Sequence, residues 1–330
     1  MEFDISGVST MRETCRPLGS TDLSVFPVAL GGTAFGMKAG TRESHRLLDT
    51  YRAGGGNFLD TADSYRPPVE EIAGFDSESI IGSWLKTSGA RDEMVIATKV
   101  GKHPAYPGLR ATNIRRAAEA SLGRLRTDRI DLYFAHFDDQ GVPLEETASA
   151  FSELVDAGMI RHIGLSDFSG KRVSEWMDVA ARNGLHPPVA VQPHYNAVER
   201  SGFETDLMPV ALHHALATVP YRGLASGFLT GKHRLERDDA RSQFSQVAQY
   251  VDERGAQVLD ALDEIAQERG VQISTVALAW LTARPTVVAP ILSTRNAAQL
   301  PALLAAAELT LTDAENRRLD EASGRLVPQG

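Results

Sequence analysis

Short aliphatic and β-branched runs alternate with amphipathic stretches along most of the chain. The runs Val28–Leu30, Phe58–Asp60, Met94–Thr98, Asp131–His136, Ile160–Leu165, Val189–Gln192, Ala217–Tyr221 and Val288–Leu292 predict strands. Several are nearly continuous in apolar residues, the pattern of strands covered on both faces. Between them, Arg42–Ala53, Ser77–Lys86, Asn113–Leu125, Leu144–Asp156, Lys171–Asn183 and Asn296–Ala307 place apolar residues at helical spacing. Asn113 and Asn296 read as N-caps, and Gly158 and Gly184 as helix stops.

Strand–helix–strand repetition predicts a parallel sheet, and eight units predict closure into a (β/α)8 TIM barrel. The long interval from Tyr221 to Ser293 is assigned a loop near Lys232–Ala240, an extra helix at Val251–Arg269 and the regular helix at Ser274–Ala283. Ahead of the first strand, residues 16–25 read as a small N-terminal β-hairpin. Behind the last unit, Leu309–Ala322 is an extra C-terminal helix whose Thr312 and Glu315 have capping-box spacing. Residues 1–15 read as a disordered lead-in and 16–330 as one barrel domain, with no linker or low-complexity tract.

Composition narrows the setting. The chain has 330 residues, 42% hydrophobic and 23% charged, as ordinary globular proteins do. Cys15 is its single cysteine, so no internal disulfide forms, which fits a reducing compartment and a cytoplasmic location. The start lacks the basic and apolar segments of a secretory signal, and no apolar run suits a membrane span. A formal charge of −9, from 43 acidic and 34 basic side chains, argues against nucleic acid and anionic membranes as partners. The basic run from Lys232 to Arg237 is broken by acid and reads as a solvated loop.

Familiar nucleotide and metal motifs fail. Gly54-Gly55-Gly56 follows a helix and precedes a strand, the reverse of a Rossmann loop. The stretch Gly227 to His233 is one residue short of a phosphate loop and lacks its Ser or Thr. Residues 31–36, with Gly32 and Thr33, lack the dinucleotide spacing but follow a strand and can offer backbone donors. No cysteine pair or His-Glu-x-x-His is present, and His213 and His214 cannot face one way on a helix, so no metal site is expected.

Chemistry in this architecture sits at the C-terminal ends of the strands. The polar residues there are Asp60, Lys99, His136, Ser166, Asp167, Gln192 and Tyr221, with Tyr65 in the loop after Asp60. Taken singly, Asp60 could cap a turn, Lys99 snorkel, His136 be a satisfied core histidine and Tyr65 pack on a neighbour. Four such residues on one rim also have a joint task. A tyrosine near pKa 10 is a poor acid at neutral pH, and a nearby ammonium favours its phenolate. A carboxylate keeps that ammonium charged, and a histidine can donate to a carbonyl oxygen. The set suits proton delivery to a developing alkoxide and contains no strong nucleophile. The hydride must then come from a cofactor.

These residues resemble the aldo-keto reductases. The segment Phe58 to Tyr65 is similar to the family's strand-two motif, Ala97-Thr98-Lys99-Val100 to its lysine motif and Asp131 to His136 to its histidine motif. Ile163 to Phe168 resembles the segment that holds the nicotinamide amide, and Val191-Gln192-Pro193 the next contact. The resemblance runs from about Arg16 to Leu319. It implies that Tyr65 is the general acid, Lys99 lowers its pKa, Asp60 braces Lys99 and His136 orients the carbonyl. It further implies NADPH, with NADH as the alternative. Gly32, Thr33, Asp60, Ser166, Asp167, Gln192 and a stacking Tyr221 would hold the nicotinamide end. Arg222, Gly223, Leu224, Ser226, Gly227 and Lys232 would follow the pyrophosphate, with backbone opened by Gly223 and Gly227. Ser293, Thr294 and Arg295 would hold the 2′-phosphate, where an arginine fork suits, and Gln299 would reach the adenine.

The chain departs from the family pattern in places. Asp167 stands where the family commonly has Asn, Arg222-Gly223-Leu224 replaces Ser-Pro-Leu, Ser293 replaces a frequent glycine, and the chain is apolar near Leu303. The implied substrate is a small carbonyl compound, an aldehyde, ketone or keto-sugar, lined by Phe35, Tyr65, His136, Phe137 and Asp138. Asp138 and Asp139 suggest hydroxyl-bearing substrates. Two alternatives stand beside the reductase: a sugar or alcohol dehydrogenase of the same fold, and a cofactor-sensing regulatory subunit with little turnover.

Overall fold

The computed structural model describes residues 14–66, 76–232 and 245–324. The sequence expectations for residues 1–13 and 233–240 lie outside them. Strands β1 (Arg16–Pro17) and β2 (Ser24–Val25) pair antiparallel, as the hairpin expectation requires. Eight parallel strands follow: β3 (Ala29–Gly31), β4 (Phe58–Asp60), β5 (Val95–Val100), β6 (Ile130–Ala135), β7 (Ile160–Ser166), β8 (Pro188–Gln192), β9 (Ala217–Thr218) and β10 (Ile291–Leu292).

Their order is β10-β3-β4-β5-β6-β7-β8-β9, so each strand lies beside its neighbour in sequence and β10 returns to β3. The remaining seam is joined by main-chain bonds from Val288 N to Thr218 O at 3.0 Å and from Ile291 N to Pro220 O at 2.8 Å. The sheet is thus a (β/α)8 barrel. Strands β9 and β10 are shorter than their sequence patterns because Pro220 and Pro290 have no N–H to offer a ladder.

Period-two geometry sorts the strand side chains. Ala29, Phe58, Val95, Ala97, Leu132, Phe134, Ala190, Ala217, Val219 and Ile291 form an inner cluster, closed from below by Leu18, Leu23 and Val25 of the hairpin. The intervening residues, among them Leu59, Ile96, Tyr133, Leu165 and Val191, pack outward against the helices. Phe134 fits across the lumen because β7 carries Gly164 there; a Cβ on Gly164 would lie 2.4 Å from the Phe134 ring. Asp60, Lys99, Ser166 and Gln192 share the inward parity, one or two steps above these apolar layers.

The outer helices are α1 (Thr41–Ala53), α2 (Ser77–Ser88), α3 (Ala111–Leu125), α4 (Leu144–Asp156), α5 (Gly170–Asn183), α6 (Met208–His213), α7 (Glu253–Arg269), α8 (Ile273–Thr282) and α9 (Asp313–Ala322). Gly184 ends α5 in the left-handed conformation, and Thr312 and Glu315 complete their capping box at α9. Asn296 caps its turn by accepting from Ala298 N, although residues 297–307 divide into short helical pieces around Pro301.

Asn113 is not the N-cap of α3. The helix starts at Ala111, whose N–H is taken by Glu146 of α4, and the Asn113 amide donates to Pro107 O. The sequence pattern missed α6 and the π-helical turn Phe203–Leu207 before it, because Gly202, Pro209 and the histidine pair obscure the helical period. No helix among the described residues is long and apolar enough to cross a membrane.

Candidate active site

Four strand ends bring Asp60, Lys99, His136 and Gln192 to one mouth. Lys99, only 1% exposed, is the centre. Its ammonium donates to Asp60 Oδ2 at 2.7 Å, to Thr61 O at 2.7 Å and to Tyr65 Oη at 3.2 Å. The other Asp60 oxygen accepts from Gln192 Nε2 at 2.9 Å. Asp60 therefore has both oxygens engaged, as a buried carboxylate requires. Burial alone would lower the Lys99 pKa, but Asp60 and Tyr65 outweigh it and hold the ammonium above its ordinary value.

The loop after β4 carries Tyr65 back over this lysine, whose Nζ lies 4.8 Å from the phenol ring centroid. Burial raises the Tyr65 pKa above 10; Lys99 pulls the other way without reversing it. Lys99 thus acts on the phenol in the expected direction, but burial outweighs it, and a phenolate formed at Tyr65 would be met by the ammonium. His136 faces Tyr65 edge-on with ring centroids 6.1 Å apart. Burial, reinforced by Lys99 and Lys102, pushes its pKa down to about 2, so the imidazole is neutral, and its buried Nδ1 has no hydrogen-bond partner among the described residues.

Beside this group, Tyr221 donates to Asp167 Oδ1 at 2.9 Å and stacks on His194 with centroids 5.3 Å apart. Ser166 Oγ donates to Gln192 O at 3.2 Å. Asp167 adopts φ +57, which turns its carboxylate out toward the rim. His194 and Lys102 were missed in the sequence. His194 lies two residues beyond Gln192, so strand parity could have found it; Lys102 has no such signal.

A second cluster forms where β3 and β10 end. Thr33 Oγ1 donates to Ser293 Oγ at 2.9 Å, and Thr294 Oγ1 donates to Gln299 Oε1 at 2.7 Å. Arg295 is exposed, and across the seam so are Arg222, Ser226 and Lys232. Arg222, Ala225, Ser226 and Gly227 all have positive φ. A Cβ on Gly227 would meet nothing within 4 Å, so this stretch of backbone is open. Gly223 is the exception to the expected open loop: it is buried against Leu278, Leu281 and Pro290. Leu224 is half-buried and Gly32 buried.

The expected substrate wall is only partly present. Phe137 lies half-buried beside the mouth, with Lys102 Nζ 5.9 Å from its ring centroid. Phe35 is fully buried in the outer core and offers no surface to a ligand, because the turn after β3 folds it inward. The Asp138 carboxylate is held by Arg172 of α5 at 2.9 Å, and Asp139 accepts from Leu109 N and Gly141 N. Neither acid is free for sugar hydroxyls. A surface groove of about 700 Å3 lined by Gln140, Val142, Pro143, Ser169 and Lys171 contains none of the strand-end residues.

Residues 27–323 match the model of the aldo/keto reductase family. The chain is 33% identical to an uncharacterized oxidoreductase, YrpG, of Bacillus subtilis, over 92% of this chain and 94% of that one. It is 30% identical to a probable voltage-gated potassium channel subunit beta of Arabidopsis thaliana, over 86% and 88%. It is 29% identical to an aryl-alcohol dehydrogenase [NADP(+)] of Phanerodontia chrysosporium, over 91% and 78%. The matched span takes in every strand end described above: the chain belongs to the aldo/keto reductase family and is an NAD(P)H-dependent oxidoreductase.

Proposed function

We propose that the protein reduces an aldehyde or ketone to an alcohol with NADPH, Tyr65 acting as general acid. The observation that carries this reading is the Lys99 ammonium in contact with both Asp60 and the Tyr65 hydroxyl. A carbonyl oxygen at the mouth would accept from Tyr65 and from a neutral His136. As negative charge grows on that oxygen, the Tyr65 proton moves to it. Lys99 stabilises the phenolate left behind, and Asp60 keeps Lys99 charged and in place. The bound cofactor supplies the hydride. Gln192, Ser166 and Asp167 would hold its nicotinamide end by polar contacts, and Tyr221 would supply the aromatic face.

The rim fits the rest of a phosphorylated dinucleotide. Arg222 and Arg295 follow the ends of adjacent strands, both exposed and without a carboxylate within 4 Å among the described residues. Open backbone at Ser226 and Gly227 lies between them in chain order. Arg295, with Ser293 and Thr294, is the assigned holder of the 2′-phosphate. Thr33, Lys232 and Gln299 flank these groups.

Fluorescence titration with NADPH and NADH, on wild type and Arg295→Ala, tests the cofactor site. Selective weakening of NADPH by about tenfold is expected. Equal affinity for both nucleotides in wild type and variant would remove the 2′-phosphate assignment. The relative described as a probable channel subunit gives the regulatory alternative its support. Tight nucleotide binding with no turnover of any aldehyde would favour it over the enzyme.

A further inference from the structure

Charge at the mouth is unevenly committed. The acids of the loop after β6 are both engaged, Asp138 by Arg172 and Asp139 by main-chain N–H groups. The loop after β5 places Lys102 on the opposite footing. Its side chain is 41% exposed and donates no hydrogen bond among the described residues; its ion pair with Asp167 Oδ2 spans 3.6 Å. Asp167 takes the Tyr221 hydroxyl on its other oxygen at 2.9 Å, whereas the Lys102 ammonium stands off at 3.6 Å, beyond hydrogen-bond range, and is the looser of its two contacts. The ammonium also lies over Phe137, and its field reaches the His136 imidazole. A substrate whose carbonyl oxygen sits between Tyr65 and His136 therefore has an available cation and an aromatic face on the same side.

Resting on the reductase reading, we infer that Lys102 selects carbonyl substrates carrying a carboxylate, which would replace Asp167 as the close partner of its ammonium. A single charge is the better match: with Asp167 beside the ammonium, a carboxylate leaves one uncompensated negative charge and a phosphate dianion leaves two. The carbonyl end would lie at Tyr65 and His136, and the body of the substrate against Phe137. Half-exposed ion pairs contribute modestly, so discrimination of about fivefold is expected.

The test compares 4-carboxybenzaldehyde with its neutral isostere 4-carbamoylbenzaldehyde, under saturating NADPH, in wild type, Lys102→Met and Lys102→Glu. Wild type should favour the carboxylate in kcat/KM by about fivefold at low salt, largely through KM, and less at high salt. The ratio should fall to about one in Lys102→Met and invert in Lys102→Glu. Turnover of both aldehydes with no preference in wild type would overturn the inference and leave the reductase reading standing. So would a preference that survives Lys102→Met. Absence of turnover with either aldehyde, in folded protein that binds NADPH, would remove the reductase reading and this inference with it.

Discussion

Lys99 and Asp60 lie 2.7 Å apart with almost no solvent access, and each explains the other's charge. Neither ion could be buried alone without a large desolvation cost. Lys99→Met should therefore act twice. It should slow turnover about a hundredfold or more by removing the group that meets the phenolate. It should also destabilise the protein by about 3–5 kcal/mol, because Asp60 is left unpaired. Thermal melts of Lys99→Met and of the double variant Lys99→Met/Asp60→Asn check the second point: the double variant should recover stability but not activity.

Tyr65→Phe removes the proton donor and leaves the Lys99–Asp60 pair intact. Turnover should slow by about two to four orders of magnitude, the usual contribution of a general acid. Nucleotide affinity and melting temperature should change little. Single-turnover rates at saturating substrate separate this from a binding defect.

The pH profile follows from the two ring systems. Reduction needs Tyr65 protonated, and burial raises its pKa above 10, so activity should decline only as pH rises beyond the ordinary phenol range. His136, pushed down to about 2, stays neutral across the working range and should leave no inflection near 6.5. A plot of log kcat/KM against pH from 5 to 10 with a histidine limb would contradict this arrangement.

Asp63 sets a stability limit at higher pH. Its backbone N–H donates to Lys99 O at 3.2 Å, while among the described residues its buried carboxylate oxygens accept no hydrogen bond within 3.5 Å, the Gly101 main chain lending only weaker support. Burial, with Glu78 adding to it, raises its pKa from 3.8 to about 7. The folded state thus holds a proton that the unfolded state loses, so stability falls as pH rises from about 4 to about 7 and stays lower above. The full effect is about 4 kcal/mol by linkage. Asp63→Asn should melt like wild type near pH 4 and at a higher temperature than wild type at pH 8; parallel melting curves across that range would exclude it.

At the C-terminal helix, Thr312 and Glu315 cap one another and Arg269 grips the same carboxylate at 2.6 Å. Hydrogen bonding from Arg269 leads the forces that lower the Glu315 pKa to about 2. Its stabilisation is present above the unfolded carboxylate pKa and is lost as pH falls through about 2. Thr312→Ala should cost about 1 kcal/mol, read as a shift in denaturant midpoint at constant slope.

Much of the site was legible because strand periodicity is local. Asp60, Lys99, His136 and Gln192 end apolar runs, and the side-chain period of two sends them to the face that Phe58, Ala97, Phe134 and Ala190 occupy below. His194 lay within reach of the same rule. The errors fell where a side chain's direction depends on a loop. Phe35 turns inward although it follows a strand end, and Asn113 sits inside a helix whose start another helix supplies.

The repeat of strand and helix, the barrel that eight such units make, and the polar residues that top its strands are all written in the order of residues along the chain. Tertiary structure decided which of those residues meet. Gln192 braces Asp60 across 132 positions, and Arg172 withdraws Asp138 across 34. It also decided that burial, not the neighbouring ammonium, governs the Tyr65 pKa. Periodicity is a property of neighbouring residues and can be read along the chain. Partnership and desolvation depend on distances between segments far apart in the chain, and these exist only once the barrel has closed.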